Sequence, residues 1–126
     1  MNKYAEVTLK ATRMLETYSP QEAWTMASQK VFPHSLASRN KGCPKSVFLG
    51  LCEEGLVRGA TVGNYTRSKL NKQYALKALD LLQNNTDLSL DVNALWKLIV
   101  PNKKSNSQMD VVIALWNNNL INKEKI

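Results

Sequence analysis

The sequence predicts an all-α protein: a single compact domain of about six helices spanning residues 1–126. Three observations carry that reading. Apolar residues recur at spacings of three and four along most of the chain, the period of an amphipathic helix. Start and stop signals of the kind that bound helices punctuate the pattern. No two alternating segments lie close enough to read as paired strands.

The first helix runs from about Lys3 to Thr17, with Tyr4, Val7, Ala11, Met14, Leu15 and Tyr18 on one stripe. Ser19-Pro20-Gln21-Glu22 then starts a second helix. Serine can cap it, proline fits the first turn where its missing N–H costs nothing, and Glu22 completes a capping box. That helix turns Ala23, Trp24, Ala27 and Val31 inward and stops near Phe32-Pro33, since the residue before proline avoids helical backbone. A polar loop from His34 to Gly42 follows. Cys43-Pro44 opens a third, largely apolar helix, and Gly55 followed by Leu56-Val57 reads as its left-handed cap.

Residues 57–67 read as a loop or a short hairpin, because Thr61-Val62 has strand character and Gly63-Asn64 is a turn signal. Ser68 starts a fourth helix with Leu70, Tyr74, Ala78, Leu81 and Leu82 on one face, ended by Asn84-Asn85. Ser89 or Asp91 caps a fifth, which turns Val92, Leu95, Trp96 and Ile99 inward and stops at Pro101. Ser107 caps a sixth, running through Trp116.

One internal similarity stands out. Residues Val47 to Val57 align without gaps on Val111 to Ile121, and both stretches end in a residue tolerant of left-handed backbone followed by two large aliphatics. Either a helix-plus-cap unit is duplicated or two unrelated helices end by the same physics. The second is the reading the sequence favours.

Charge is distributed unevenly. From Lys30 to Lys77 there are nine basic residues against Glu53 and Glu54 alone, a net charge of +7, whereas basic and acidic residues cancel elsewhere. A localised positive field attracts polyanions. The densest part, Gly63 to Lys69, lies at the start of the fourth helix, where exposed N–H groups and the helix dipole favour an anion. The expected anion- or nucleic-acid-binding residues are Arg58, Asn64, Tyr65, Thr66, Arg67, Ser68, Lys69 and Lys72. Here hydroxyls and cations would meet phosphate, and Tyr65 would stack on a base. The P-loop spacing is absent. A helix-turn-helix is disfavoured, because the loop before Cys43 is too long and the following helix too apolar. The plainer alternative is a solvated basic loop.

Cys43 beside a helix start, near Arg39, Lys41 and Lys45, is the one candidate nucleophile, since such surroundings favour thiolate. His34 as a base, oriented by Asp110 or Glu53, would complete an enzyme reading. No catalytic constellation is otherwise identifiable, so the sequence leans away from an enzyme. Cys52 belongs to the core. Two cysteines nine apart with one histidine do not make a zinc site, and no cofactor is implied. Trp24, Trp96 and Trp116 fall on apolar faces and read as core.

Composition sets outer bounds. With 44% hydrophobic and 21% charged residues the chain is neither disordered nor a disulfide scaffold. The longest apolar run, Val111 to Trp116, is far short of a membrane span. No leader segment is visible at Met1 to Glu6, so a cytoplasmic protein with reduced thiols and no membrane partner is expected.

Four segments together carry a resemblance: Lys41 to Lys45, Phe48 to Val57, Gly63 to Lys69, and Ser107 to Val112. The chain resembles, over nearly its whole length, a family of small bacterial proteins known only as a domain of unknown function. The resemblance implies a bacterial origin and one domain, and brings no activity or catalytic residue with it. The functional expectation therefore rests on the residues: a module binding nucleic acid or a phosphorylated ligand through the basic 58–77 region. A protein-interaction scaffold and a Cys43-dependent enzyme are the alternatives.

Overall fold

Asn2 opens the first helix, α1 (Lys3–Arg13), its side-chain oxygen accepting from the amides of Tyr4 and Ala5 at 2.8 and 3.3 Å. The computed structural model describes all 126 residues. Five further helices of eight residues or more follow: α2 (Pro20–Val31), α4 (Gly42–Glu53), α5 (Lys69–Asn84), α6 (Val92–Ile99) and α7 (Gln108–Asn117). They are the six that periodicity anticipates. A four-residue helix, α3 (Leu36–Arg39), and two short 3-10 turns at Thr86–Leu90 and Lys123–Lys125 complete the chain.

The boundaries differ from the sequence reading where local chemistry outweighs periodicity. The first helix stops at Arg13 rather than Thr17, and residues 14–17 continue as turns. The capping box of α2 forms as expected between Ser19 and Glu22. The polar loop after Pro33 contains α3, because Ser35 caps it by accepting from the Ser38 amide at 3.1 Å. Asp91, not Ser89, caps α6. Ser107 does not cap α7: its backbone is left-handed at φ 65° and its hydroxyl makes no cap bond. Gln108 takes over locally, its side-chain oxygen accepting from the Asn106 amide at 2.6 Å.

Of the loop or short hairpin expected around 57–67, the loop is what forms. Val57 instead forms an isolated antiparallel bridge with Ile121. Both residues follow caps of one kind. Gly55 is left-handed at φ 67°, and the Leu56 and Gly55 amides donate to the carbonyls of Leu51 and Cys52. Asn119 is left-handed at φ 57°, and the Leu120 and Asn119 amides donate to Leu115 and Trp116. Each is a Schellman termination, in which two late carbonyls of the helix are satisfied by the turn beyond it.

The chain thus carries two helix trios with similar ends, α1–α2–α4 and α5–α6–α7. The first helix of each unit packs on the third helix of the other, α1 on α7 and α5 on α4. The second helices end alike, Val31-Phe32-Pro33 and Ile99-Val100-Pro101, with the Phe32 and Val100 amides donating to Ser28 and Trp96. Tyr4 meets Phe32 at 5.0 Å between ring centroids, and Tyr74 meets Trp96 at 5.3 Å. A lysine from the linker lies over each tyrosine, Lys41 over Tyr4 and Lys103 over Tyr74.

One contiguous core joins the units, and Trp24, Phe48, Leu79, Leu95 and Leu115 lie fully inside it. The three tryptophans and Cys52 are core residues, as the apolar faces predict. No helix is long and apolar enough to cross a membrane.

Candidate anion-binding region

The start of α5 is already occupied by an anion from within the chain. Glu53, the last residue of α4, lies four positions after Leu49, on the apolar stripe, and only 2% of its side chain is exposed. Its Oε1 accepts from the amides of Tyr65 and Thr66 at 2.8 and 3.0 Å. Lys72 reaches Oε2 at 2.7 Å and Lys69 reaches it at 3.1 Å. Lys72 also pairs with Glu54 at 2.8 Å.

Burial alone would raise the Glu53 carboxyl. Hydrogen bonds from Lys72, the Thr66 and Tyr65 amides and Lys69 outweigh it, holding the group down at about 2. The same contacts raise Lys72 above the ordinary lysine value, through Glu53 first and Glu54 second. The physics expected at this helix start is present, with a carboxylate where a phosphate was expected.

The eight sequence-predicted residues divide accordingly. Tyr65, Thr66, Lys69 and Lys72 surround Glu53. The Tyr65 ring folds back on Gly63, and its hydroxyl donates to the Thr61 carbonyl at 2.7 Å. It closes its own loop rather than standing out to stack on a base. Ser68 begins α5 without a side-chain cap bond; its hydroxyl accepts from Asn71, and its amide donates to the Thr66 hydroxyl. Asn64 and Arg67 are exposed, and Arg67 has no carboxylate within 4.0 Å.

Arg58 belongs elsewhere. Its Nε donates to the Asn119 carbonyl at 2.6 Å, beside a 380 Å³ cleft that also holds Arg13 and Glu16.

The residue whose role sequence reasoning missed is Glu53, read as a charge opposing its neighbours and as one candidate to orient His34. Its signal was positional: a carboxylate on the buried stripe of an apolar helix, followed by a long acid-free basic stretch. The enzyme constellation does not assemble. No hydrogen bond links Cys43, His34 and Asp110, and Glu53 sits at the far end of α4 from Cys43. Cys52 is buried, and burial pushes its thiol up. No three of the His, Cys, Asp and Glu side chains converge as metal ligands would.

Comparison with known proteins finds a family for the chain. A model described as "Family of unknown function (DUF6979)" covers residues 1–122. The chain belongs to that family. No curated protein and no solved structure matches it. The Glu53 cluster, the paired caps and the two-unit architecture thus describe a member of this family in physical terms.

Proposed function

We propose that this protein is a polyanion-binding module, taking nucleic acid or a phosphorylated ligand, and that it is bacterial and cytoplasmic. The observation that supports the reading is the charge left over after pairing. The only ion pairs join Glu53 and Glu54 to Lys69 and Lys72. Between Lys30 and Lys77 that uses every acidic residue and leaves Lys30, Arg39, Lys41, Lys45, Arg58, Arg67 and Lys77 with no carboxylate partner. An unneutralised field of this kind draws polyanions at rates and affinities that fall with salt.

Arg67 and Lys77 are exposed, so they are the basic residues to replace first. Lys69 and Lys72 belong to the Glu53 cluster and are structural in this reading. The test is a salt series on immobilised heparin and on labelled DNA. Wild type should bind at low salt with a steep dependence. R67A/K77A should bind more weakly and flatten the slope by about 1–2, with unchanged thermal stability. K123A/K125A, where chain charge is balanced, should have the smaller effect. Failure of wild type to retain either polyanion at low salt would remove the reading.

A further inference from the structure

The two units carry matching basic clefts. In the second, the end of α6 and the linker to α7 enclose about 500 Å³ lined by Asn93, Lys97, Lys103, Lys104 and Ser105. In the first, the end of α2, α3 and the start of α4 enclose a smaller space of about 80 Å³ lined by Thr25, Gln29, Arg39, Asn40 and Lys45. Aligned on the shared ends of α2 and α6, Thr25 corresponds to Asn93 and Gln29 to Lys97. Aligned on the third helices, Arg39 corresponds to Lys103 and Asn40 to Lys104. The two clefts therefore arise from the same construction.

Neither cleft has a carboxylate in its lining. The sequence around each is acid-free, from Ala23 to Cys52 in one unit and from Val92 to Met109 in the other. The clefts are also braced. Trp96 donates its ring N–H to the Lys103 carbonyl at 2.6 Å, which fixes the linker against α6. Arg39 spends Nε and one terminal nitrogen on the Phe32 and Pro33 carbonyls, at 2.7 and 2.5 Å. Those acceptors are neutral, so the guanidinium keeps its charge.

We propose that the two clefts are paired sites for the phosphodiester backbone of nucleic acid, with the Lys97–Lys103–Lys104 cleft the stronger. This rests on the polyanion reading and gives it a location and a ligand class. A repeating anion fits the arrangement, because two like sites on two like units match a ligand that presents the same phosphate again and again. The clefts offer no aromatic face on which a base could stack, since Trp96 is buried and its N–H is already bonded, and their cations stand where a phosphate backbone would lie. Phosphate contacts without base contacts position a nucleic acid but do not read it. Binding is therefore independent of base sequence.

The experiment is fluorescence anisotropy with short labelled DNA duplexes of two unrelated sequences, over a range of salt. The proposal expects K97A/K103A/K104A to lose about tenfold or more in affinity and to flatten the salt slope by about 2–3. These three lysines are exposed and only Lys103 makes a further contact, over the Tyr74 ring, so circular dichroism should match wild type and the melting temperature should fall only slightly. Q29K, which gives the first cleft the lysine its counterpart has, should tighten binding and steepen the slope by about 0.9. Salt-sensitive wild-type binding that the triple variant leaves intact overturns the clefts while keeping the polyanion reading. An inert Q29K overturns the pairing, and a strong preference for one sequence overturns a backbone-only mode. No binding by wild type overturns both readings together.

Discussion

Val57 and Ile121 face each other between the two helix trios as the two residues of a lone antiparallel bridge. The bonds around them are reciprocal. The Arg58 amide donates to the Leu120 carbonyl at 2.9 Å, and the Asn122 amide donates to the Leu56 carbonyl at 2.8 Å. The side chains follow the same exchange: Arg58 Nε reaches the Asn119 carbonyl at 2.6 Å, and Asn122 Nδ2 reaches the Gly55 carbonyl at 2.8 Å. Each unit thus satisfies the carbonyl of the other's left-handed cap residue, buried at Gly55 and exposed at Asn119. Both bridge residues are buried, at 0% and 1% exposure, so this seam ties the hydrophobic interior of one unit to the other.

The caps predict opposite responses to substitution. Gly55 sits at φ 67°, and a Cβ there would approach Val62 Cγ2 at 3.0 Å and Lys125 Nζ at 2.9 Å. Gly55→Ala should cost about 1–2 kcal/mol through left-handed strain and crowding. At Asn119, φ 57° is adopted by a side chain that tolerates it less well than glycine would. Asn119→Gly should leave stability unchanged or raise it by up to about 1 kcal/mol. Urea denaturation of both variants measures the contrast, and equal losses would remove the account of the paired caps.

Gly50 marks the closest approach of α4 and α5. A Cβ placed there would lie 2.8 Å from Lys72 Cβ and 3.1 Å from Lys72 Cα, so the obstacle includes backbone that cannot swing aside. Gly50→Ala should destabilise by about 1–3 kcal/mol as the helices part. Because Lys72 also holds Glu53, the variant should show weakened acid sensitivity as well. A neutral melting temperature would mean the helices separate without cost.

Much of this architecture was legible in single residues. Ser19 with Glu22, Gly55 before Leu56-Val57, and Pro33 and Pro101 each act through local backbone chemistry that a sequence states directly. What was not legible depended on partners distant in the chain. Thr61-Val62 has strand character, yet Val57 finds its bridge partner in Ile121 and no hairpin forms. Ser107 is a good capping residue type, but the turn brings it in with left-handed backbone, and Gln108 makes the local bond instead. The basic cluster at Arg67 to Lys72 was visible, whereas its neutralisation needed the end of α4 to be laid against the start of α5. Charge counted along a chain is blind to that.

The two cysteines should separate cleanly under alkylation. Cys52 is buried among the core residues and its thiol is pushed up by burial, so little thiolate exists to react. Cys43 is half-exposed in the first turn of α4. Iodoacetamide at neutral pH should modify Cys43 in the folded protein and reach Cys52 only on denaturation, as mass spectrometry of the peptides would show. Early labelling of Cys52 would mean that the α4 face opens far more often than its packing allows.

The Glu53 cluster predicts a pH dependence of definite sign. The folded carboxyl is held at about 2 against an ordinary 4.5, so the folded state binds this proton less readily than the unfolded chain does. Its stabilisation is complete above about pH 4.5 and is lost as the pH falls toward 2. Glu53→Gln keeps an oxygen for the Tyr65 and Thr66 amides but presents an amide nitrogen or a neutral oxygen to Lys72. It should cost about 1–3 kcal/mol at neutral pH, the loss of the buried carboxylate's charge-assisted hydrogen bonds, while Lys72 keeps Glu54 as its remaining partner. Urea denaturation across the acid range should show the wild-type advantage shrinking through that window, while the variant varies less. Lys72→Met, which removes the cation as well as its charge, should cost less in the Glu53→Gln background than in wild type, since the pair is then already broken. Additive losses in the double variant would show that Glu53 and Lys72 act independently and that α5 is held by its packing alone.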